Sequence, residues 1–381
     1  MKLMSRTMVA GLAALLLAGC SGSGKKELPP AELEKFDAEV QLERSWKRNI
    51  GVGQGELFNK LKPTVDGLTL YAADAKGRIV AMDRDTGSVN WQVKLKEPLS
   101  GAVGVGGGRV MLGTLNGHVI VLDESDGSEL WRAQVSSEVL APPQTNGDVV
   151  VVQTQDDKLV ALDIGTGEQR WIYESSLPVL TVRGHSAPVI TLHRVYAGLA
   201  SGRVVALDAQ NGIPLWEQRI AQPQGRSELE RMVDIDGRLL LDDQTLYAAT
   251  YQGNLVALDS ETGNIRWQRP TSSHAGPAVG FGSIYLSQTG GTLEAYDQNR
   301  ATPLWTNDSL QRRQLTGPVA FSSYVAVADF EGYVHLLAQT DGRLVGRVRV
   351  DSKGVRVPPI VQGDTLYVYG NSGDLAAYQL R

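Results

Sequence analysis

Through most of the chain, short β-branched and aromatic runs alternate with turn residues, and the alternation itself repeats. Residues 246–267, LYAATYQGNLVALDSETGNIRW, are one copy: strand, glycine turn, strand, Asp–x–x–Thr–Gly turn, strand. One column of strand residues holds Tyr71, Met111, Val151, Tyr196, Tyr247, Tyr285, Ala326 and Tyr367, so the chain carries eight copies. Six residues on stands a glycine (Gly77, Gly117, Gly202, Gly253, Gly291, Gly332, Gly373), with Asp157 the exception. Twelve residues on, an aspartate opens a turn that leads to a tryptophan: Asp83–Gly87–Trp91, Asp123–Gly127–Trp131, Asp163–Gly167–Trp171, Asp208–Gly212–Trp216 and Asp259–Gly263–Trp267. Asp297 and Trp305 keep both ends of the unit, with Ala301 at the glycine position.

Segments such as PPQTNG, APVITL and TGPVAF precede the copies and supply a further inner strand, giving four strands per unit. Eight four-stranded units of about 40 residues predict an all-β fold, an eight-bladed β-propeller. The eighth copy stops before its outer strand, and the N-terminal VQLERSWKRN supplies it, with Trp46 in the tryptophan column. Sharing one blade between the two ends of the chain leaves no unpaired terminal edge in the ring.

The columns read as scaffold. Aspartate can bond its own turn backbone while glycine takes the positive-φ position, and each indole packing between blades stabilises by roughly 2–3 kcal/mol. The seventh copy has Ala338, Gly342 and Gly346 in the Asp, Gly and Trp columns, so that blade is expected to be the least tightly stapled.

At the N-terminus, Lys2 and Arg6 precede an apolar stretch from Val9 to Ala18, too short to span a bilayer as a helix. It ends in Leu17-Ala18-Gly19-Cys20, which resembles a bacterial lipobox, and Cys20 is the chain's only cysteine. The resemblance implies a signal peptide over 1–19, a thiol that takes the lipid, and three acyl chains, enough for stable anchoring. Ser21, where inner-membrane lipoproteins of the enterobacterial type carry aspartate, implies the outer membrane facing the periplasm. Residues 20–39 are polar and Gly/Ser/Pro-bearing, which suits a tether, and 40–381 form the propeller.

Charge changes little in this picture. The chain has 37 basic and 42 acidic residues, and loss of Lys2 and Arg6 takes the net charge from −5 to −7. A mildly acidic surface without a basic stripe argues against nucleic acid and against wrapping around anionic lipid. The five histidines (His118, His185, His193, His274, His335) are scattered over different blades without metal-ligand spacing. The glycines between Gly101 and Gly108 precede a strand rather than the helix of a dinucleotide loop, and DIDG at Asp234–Gly237 lacks the later ligands of a calcium loop. Neither a catalytic constellation nor a cofactor or metal is expected.

The repeat Asp–x–x–Thr–Gly–x–x–x–Trp resembles the tryptophan-docking motif of quinoprotein dehydrogenases, eight-bladed propellers that carry pyrroloquinoline quinone and calcium. Many of those place an adjacent cysteine pair against the quinone, whereas here the one cysteine lies in the lipobox. The motif therefore carries over as scaffold. A periplasmic redox enzyme of that type is the alternative reading.

Function is expected where the repeat is broken. Spacings along the first column are 40, 40, 45, 51, 38, 41 and 41, so two consecutive intervals are long. The surplus falls after Trp171 and after Trp216, in YESSLPVLTVRGHSAP and QRIAQPQGRSELERMVDIDG, connections that share one face of the disc. They are expected to present Leu180, Val182, Arg183, Asp234 and Asp236 together, a mixed patch suited to a protein partner. With the lipobox and the eight degenerate blades, LTVRGHSAP and RIAQPQGRSELERMVDID resemble the propeller lipoproteins of the outer-membrane β-barrel assembly machinery. That resemblance covers essentially the whole chain. It implies a non-catalytic scaffold that binds the periplasmic domains of the central barrel-assembly protein and helps nascent outer-membrane proteins reach it. The family's partner-contact positions match Leu180, Val182, Arg183, Asp234 and Asp236. The family often has leucine at Val182, and the lost methylene weakens that contact by about 0.8 kcal/mol if buried. Arg183 suits bidentate pairing with a partner carboxylate; alternatively it pairs with Asp234 or Asp236 and pins the two loops. Exposed blade edges are a further place for extended client strands to add.

Overall fold

The computed structural model describes residues 28–56, 59–181 and 186–381. Within these are eight four-stranded antiparallel sheets, each a blade built from strands consecutive in the chain except the eighth. The fifth blade is typical: Leu240–Asp242, Thr245–Ala249, Gly253–Asp259 and Ile265–Thr271 pair in chain order. The eighth joins Ile360–Gln362, Thr365–Tyr369 and Asp374–Leu380 to Leu42–Asn49, with Leu42 opposite Leu380 and Trp46 opposite Ala377. The N-terminal strand thus closes the ring, as Trp46 in the tryptophan column predicts.

The second and third strands of each blade are almost wholly buried, and their side chains meet those of the next blade in apolar clusters between blades. The outermost strands alternate exposed and buried positions, with the tryptophan turned inward. Every one of the seven tryptophans does the same thing. Its indole N–H donates to the carbonyl of the residue following the aspartate column of the next blade: Trp46 to Arg84, Trp91 to Glu124, Trp131 to Ile164, Trp171 to Ala209, Trp216 to Ser260, Trp267 to Gln298 and Trp305 to Gln339, at 2.8–3.2 Å. The glycine of that turn lies under the ring; a Cβ on Gly127, at φ +76°, would sit 2.7 Å from the Trp91 indole. Glycine is therefore required twice over, by the left-handed backbone and by the contact. Ala301 accepts the same conformation at φ 53°. The aspartate orders the turn: Asp83 Oδ1 accepts from Thr86 N (2.8 Å) and Thr86 Oγ1 (2.7 Å).

The junction between blades seven and eight is built differently. Because the eighth blade takes its outer strand from Leu42–Asn49, no Asp–x–x–Thr–Gly turn links its last two strands. A tryptophan on blade seven would have nothing to dock on, and the chain has Gly346 there. Residues 31–40 fill the position instead. Glu39 N and Val40 N donate to Val345 O (2.8 and 3.2 Å), and Val40 is buried against the blade-seven core. A Cβ on Gly346 would lie 2.8 Å from Val40 O and 3.2 Å from its Cγ1. The weak staple expected at this blade is thus offset by another segment. Correspondingly, the tether expected over 20–39 is corrected at its end: residues from Ala31 onward belong to the propeller's own compact unit. The physical reason is that a polar stretch with few apolar residues is still held when Leu33 and Val40 pack on apolar clusters between blades and Phe36 lies under the Arg347 guanidinium of blade seven. Cys20 and residues 1–27 lie outside the described residues.

Candidate partner-binding site

The two long connections run from the outer strand Gln169–Glu174 to the inner strand Val189–Ile190, and from Pro214–Arg219 to Leu240–Asp242. They join consecutive blades and so lie side by side on one face of the disc. Ser186 Oγ of the first donates to Gly237 O of the second at 3.2 Å.

The second insertion has two tiers. Its return stretch is inside: Val233, Asp234, Ile235 and Asp236 are 2–4% exposed. Ile235 packs directly on Gly198, where any Cβ would clash with it, and Asp234 O accepts from Tyr251 N at 2.9 Å. Asp236 Oδ2 pairs with Lys60 Nζ at 3.4 Å. Lys60 enters the first blade and Asp236 the fifth, so this ion pair spans opposite sides of the ring. The outgoing stretch is a self-bonded turn. Glu230 Oε2 accepts from Arg226 N (2.6 Å) and Ser227 N (3.3 Å), while Ser227 Oγ accepts from Glu230 N (3.3 Å). This is the reciprocal Ser–x–x–Glu arrangement of a helix start, used here without a helix. Those amide bonds hold the Glu230 carboxyl below its ordinary value. The turn displays Leu229, 65% exposed.

Between the insertions lies a cleft of about 280 Å³, lined by Leu177, Pro178, Val179 and Leu180 on one side and Pro223, Glu228, Arg231, Met232 and Asp234 on the other. Val179 is 91% exposed, Leu177 48% and Leu180 40%. Grouped exposed apolar side chains on one face are what a protein contact leaves open.

Of the residues predicted from sequence, Leu180 is on this rim, while Val182 and Arg183 fall outside the described residues. Asp234 and Asp236 are brought to the same place but are nearly buried, with Asp234 lining the cleft, so these carboxylates lie at its floor and not on an exposed rim. Buried carboxylates at this place are kept by partners such as Lys60. Sequence reasoning missed Leu177, Val179, Leu229 and Lys60. The run Leu-Pro-Val-Leu at 177–180 was the available signal for the first two. Among the described residues no group of three or more His, Cys, Asp or Glu is placed to hold a metal ion.

The family model described as outer membrane protein assembly factor BamB matches residues 75–307 and 289–381. The chain belongs to this family. It is 64% identical over 374 residues to outer membrane protein assembly factor BamB of Pseudomonas aeruginosa, covering 98% of both chains. To the protein of the same name from Yersinia pestis it is 34% identical over 387 residues, again 98% of each. The crystal structure of BamB from Moraxella catarrhalis superposes with a TM-score of 0.81 at 29% identity, over 89% of this chain and 99% of that one. Quinohemoprotein alcohol dehydrogenase from Comamonas testosteroni also matches, with a TM-score of 0.70 over 89% of this chain and 76% of its own, but at 14% identity. That likeness extends to the propeller fold alone.

Proposed function

We propose that this protein is a non-catalytic scaffold in outer-membrane protein assembly, and that the cleft between its two insertions receives the periplasmic domains of the central barrel-assembly protein. Membership of the BamB family supports the assembly role. The observation that carries the finer reading is the set of exposed apolar side chains Leu177, Val179 and Leu180 on the cleft, with Leu229 exposed on the turn of the second insertion, all set on the ring of blades. Burying each such side chain stabilises a complex by about 1.5–3 kcal/mol before the costs of association. Arg183 and Val182 add to this contact, and Asp234 and Asp236 act below it as positioning groups. Cys20 carries the lipid after removal of residues 1–19, which places the protein at the outer membrane facing the periplasm. Nascent outer-membrane proteins are the clients that the assembly serves.

Co-purification from membranes tests this. Val179→Glu and Arg183→Glu, folded by circular dichroism and tryptophan emission, are expected to lose the barrel-assembly partner. Retention by both variants would move the interface off the insertions. Cys20→Ala is expected to leave the outer-membrane fraction; persistence there at high salt would refute the anchor.

A further inference from the structure

The segment 31–40 is held on blade seven by two separate sets of contacts. Near the ring-closing strand, the Glu39 and Val40 amides bond Val345 O, and Arg343 pairs with Glu39 at 2.8 Å. The earlier part is held by the Ala31 amide, which donates to Gln311 O at 2.9 Å, by Leu33 packing on an apolar cluster, and by two guanidinium groups. Arg313 Nη1 donates to Ala31 O at 3.0 Å and Arg347 Nη1 to Glu34 O at 2.9 Å. Arg347 also lies over the Phe36 ring, 4.9 Å from its centroid.

Both arginines converge on a fully buried pair, Asp329 and His335. Asp329 Oδ2 accepts from Arg313 Nε (2.7 Å) and from His335 Nε2 (2.9 Å), and its Oδ1 accepts from the Glu331 and Tyr333 amides (3.0 and 2.9 Å). On the other side of the imidazole, Arg347 Nε donates to His335 Nδ1 at 3.1 Å. Arginine has donors only, so this bond requires a lone pair on Nδ1 and fixes the ring as the neutral Nε2–H tautomer. A proton on Nδ1 would set donor against donor and place a second positive charge beside Arg347.

We propose that the His335–Arg347 bond is an acid-sensitive latch: a proton taken up at His335 Nδ1 breaks it and loosens residues 32–36 from blade seven, while Ala31 stays bonded to Gln311 and Arg313 and the ring stays closed. The surrounding groups set the direction. Asp329 favours the imidazolium, and Arg313 and Arg347 oppose it. Glu331 is engaged by Arg313, the Tyr333 ring lies 6.2 Å from His335 with Arg349 stacked over it, and the strap contributes Phe36 and the Glu34 carbonyl. Burial, with the two arginines on the same side, outweighs Asp329 and holds His335 below the ordinary histidine value, so the ring is neutral at pH 7. Asp329 stays ionised, since bonds from His335, the Tyr333 amide and Arg313 more than offset its burial. The proton therefore goes to the imidazole. Val40 and the Val345 bonds do not involve His335, which is why closure persists.

Limited proteolysis of the full chain at pH 7 and about pH 5 by an endopeptidase that cleaves after glutamate, normalised to its rate on an unfolded peptide, tests the latch. Protection of the strap bonds after Glu32 and Glu34 is expected to fall roughly ten-fold or more at the lower pH, with cleavage within the blades unchanged. His335→Gln offers an amide donor to Asp329 and a carbonyl to Arg347, and it should remove the pH dependence. Arg347→Met should expose the strap at both pH values, and it reports on the grip even if the histidine variant fails to fold. Wild-type protection unchanged at the lower pH, an unaltered pH response in a folded His335→Gln, or a fully protected strap in Arg347→Met would each overturn the proposal.

Discussion

Seven junctions of the ring are closed by an indole and one by a strap, and the two devices differ in what they depend on. At Trp171 the ring is 6% exposed, its N–H is bonded to Ala209 O at 2.9 Å, and Gly212 lies under its face. Everything needed sits in one repeat and the turn of the next. At the blade-seven junction the corresponding position is Gly346, and the filling side chain, Val40, comes from more than 300 residues away. A repeated staple can be lost and replaced by an unrelated segment, provided the space and the backbone bonds are satisfied.

The largest expected effect tests the indole side of this comparison. Trp171→Ala should lower stability by about 3–5 kcal/mol in chemical denaturation, because it leaves both a cavity and an unpaired Ala209 carbonyl. Next is the reverse experiment. If blade seven merely lacked a tryptophan, Gly346→Trp would stabilise it. We expect a loss of about 1–3 kcal/mol instead, from the clash with Val40 and the absence of a docking turn. Val40→Ala, which thins the strap's buried contact, should cost about 1–2 kcal/mol and should leave unfolding at the other junctions unchanged.

Two smaller effects follow pH. His335 has a depressed folded pKa, so its contribution is present above the ordinary histidine value and is lost as pH falls below it; a thermal melt series from pH 7 downward should show this, and His335→Gln should flatten it. In the indole-docking turns, bonds from Arg170 and the Thr166 amide hold the Asp163 carboxyl down to about 2. Its small, solvent-screened contribution is present above the ordinary aspartate value and lost as pH falls from there through about 2. Smallest of all, Val179→Ser should change stability by less than about 0.5 kcal/mol while weakening capture of the partner, since its side chain touches solvent rather than core.

The propeller was legible because its determinants are local. Asp83, Thr86 and Gly87 build a turn with their own atoms, and Trp91 follows at a fixed spacing, so the repeat announces the strands, their order and the closing role of Trp46. The place of the candidate site was legible as well, as surplus length between Val151 and Tyr247. Its inner arrangement was not. Nothing in DID tells that Asp234 and Asp236 turn inward, because that depends on Gly198 admitting Ile235 and on Lys60 reaching Asp236 from the opposite side of the ring.

The sequence by itself determined the all-β repeat, the number of blades, the N-terminal closing strand and the two interrupted connections, since each is a matter of spacing and residue type along a short stretch. Only the tertiary structure decided that residues 31–40 leave the tether and join blade seven, that His335 lies buried between Asp329 and Arg347, and that the insertion carboxylates lie at the floor of the cleft and not on an exposed rim. Those outcomes rest on contacts between segments far apart in the chain, where burial and hydrogen-bond satisfaction, rather than local pattern, choose the partner.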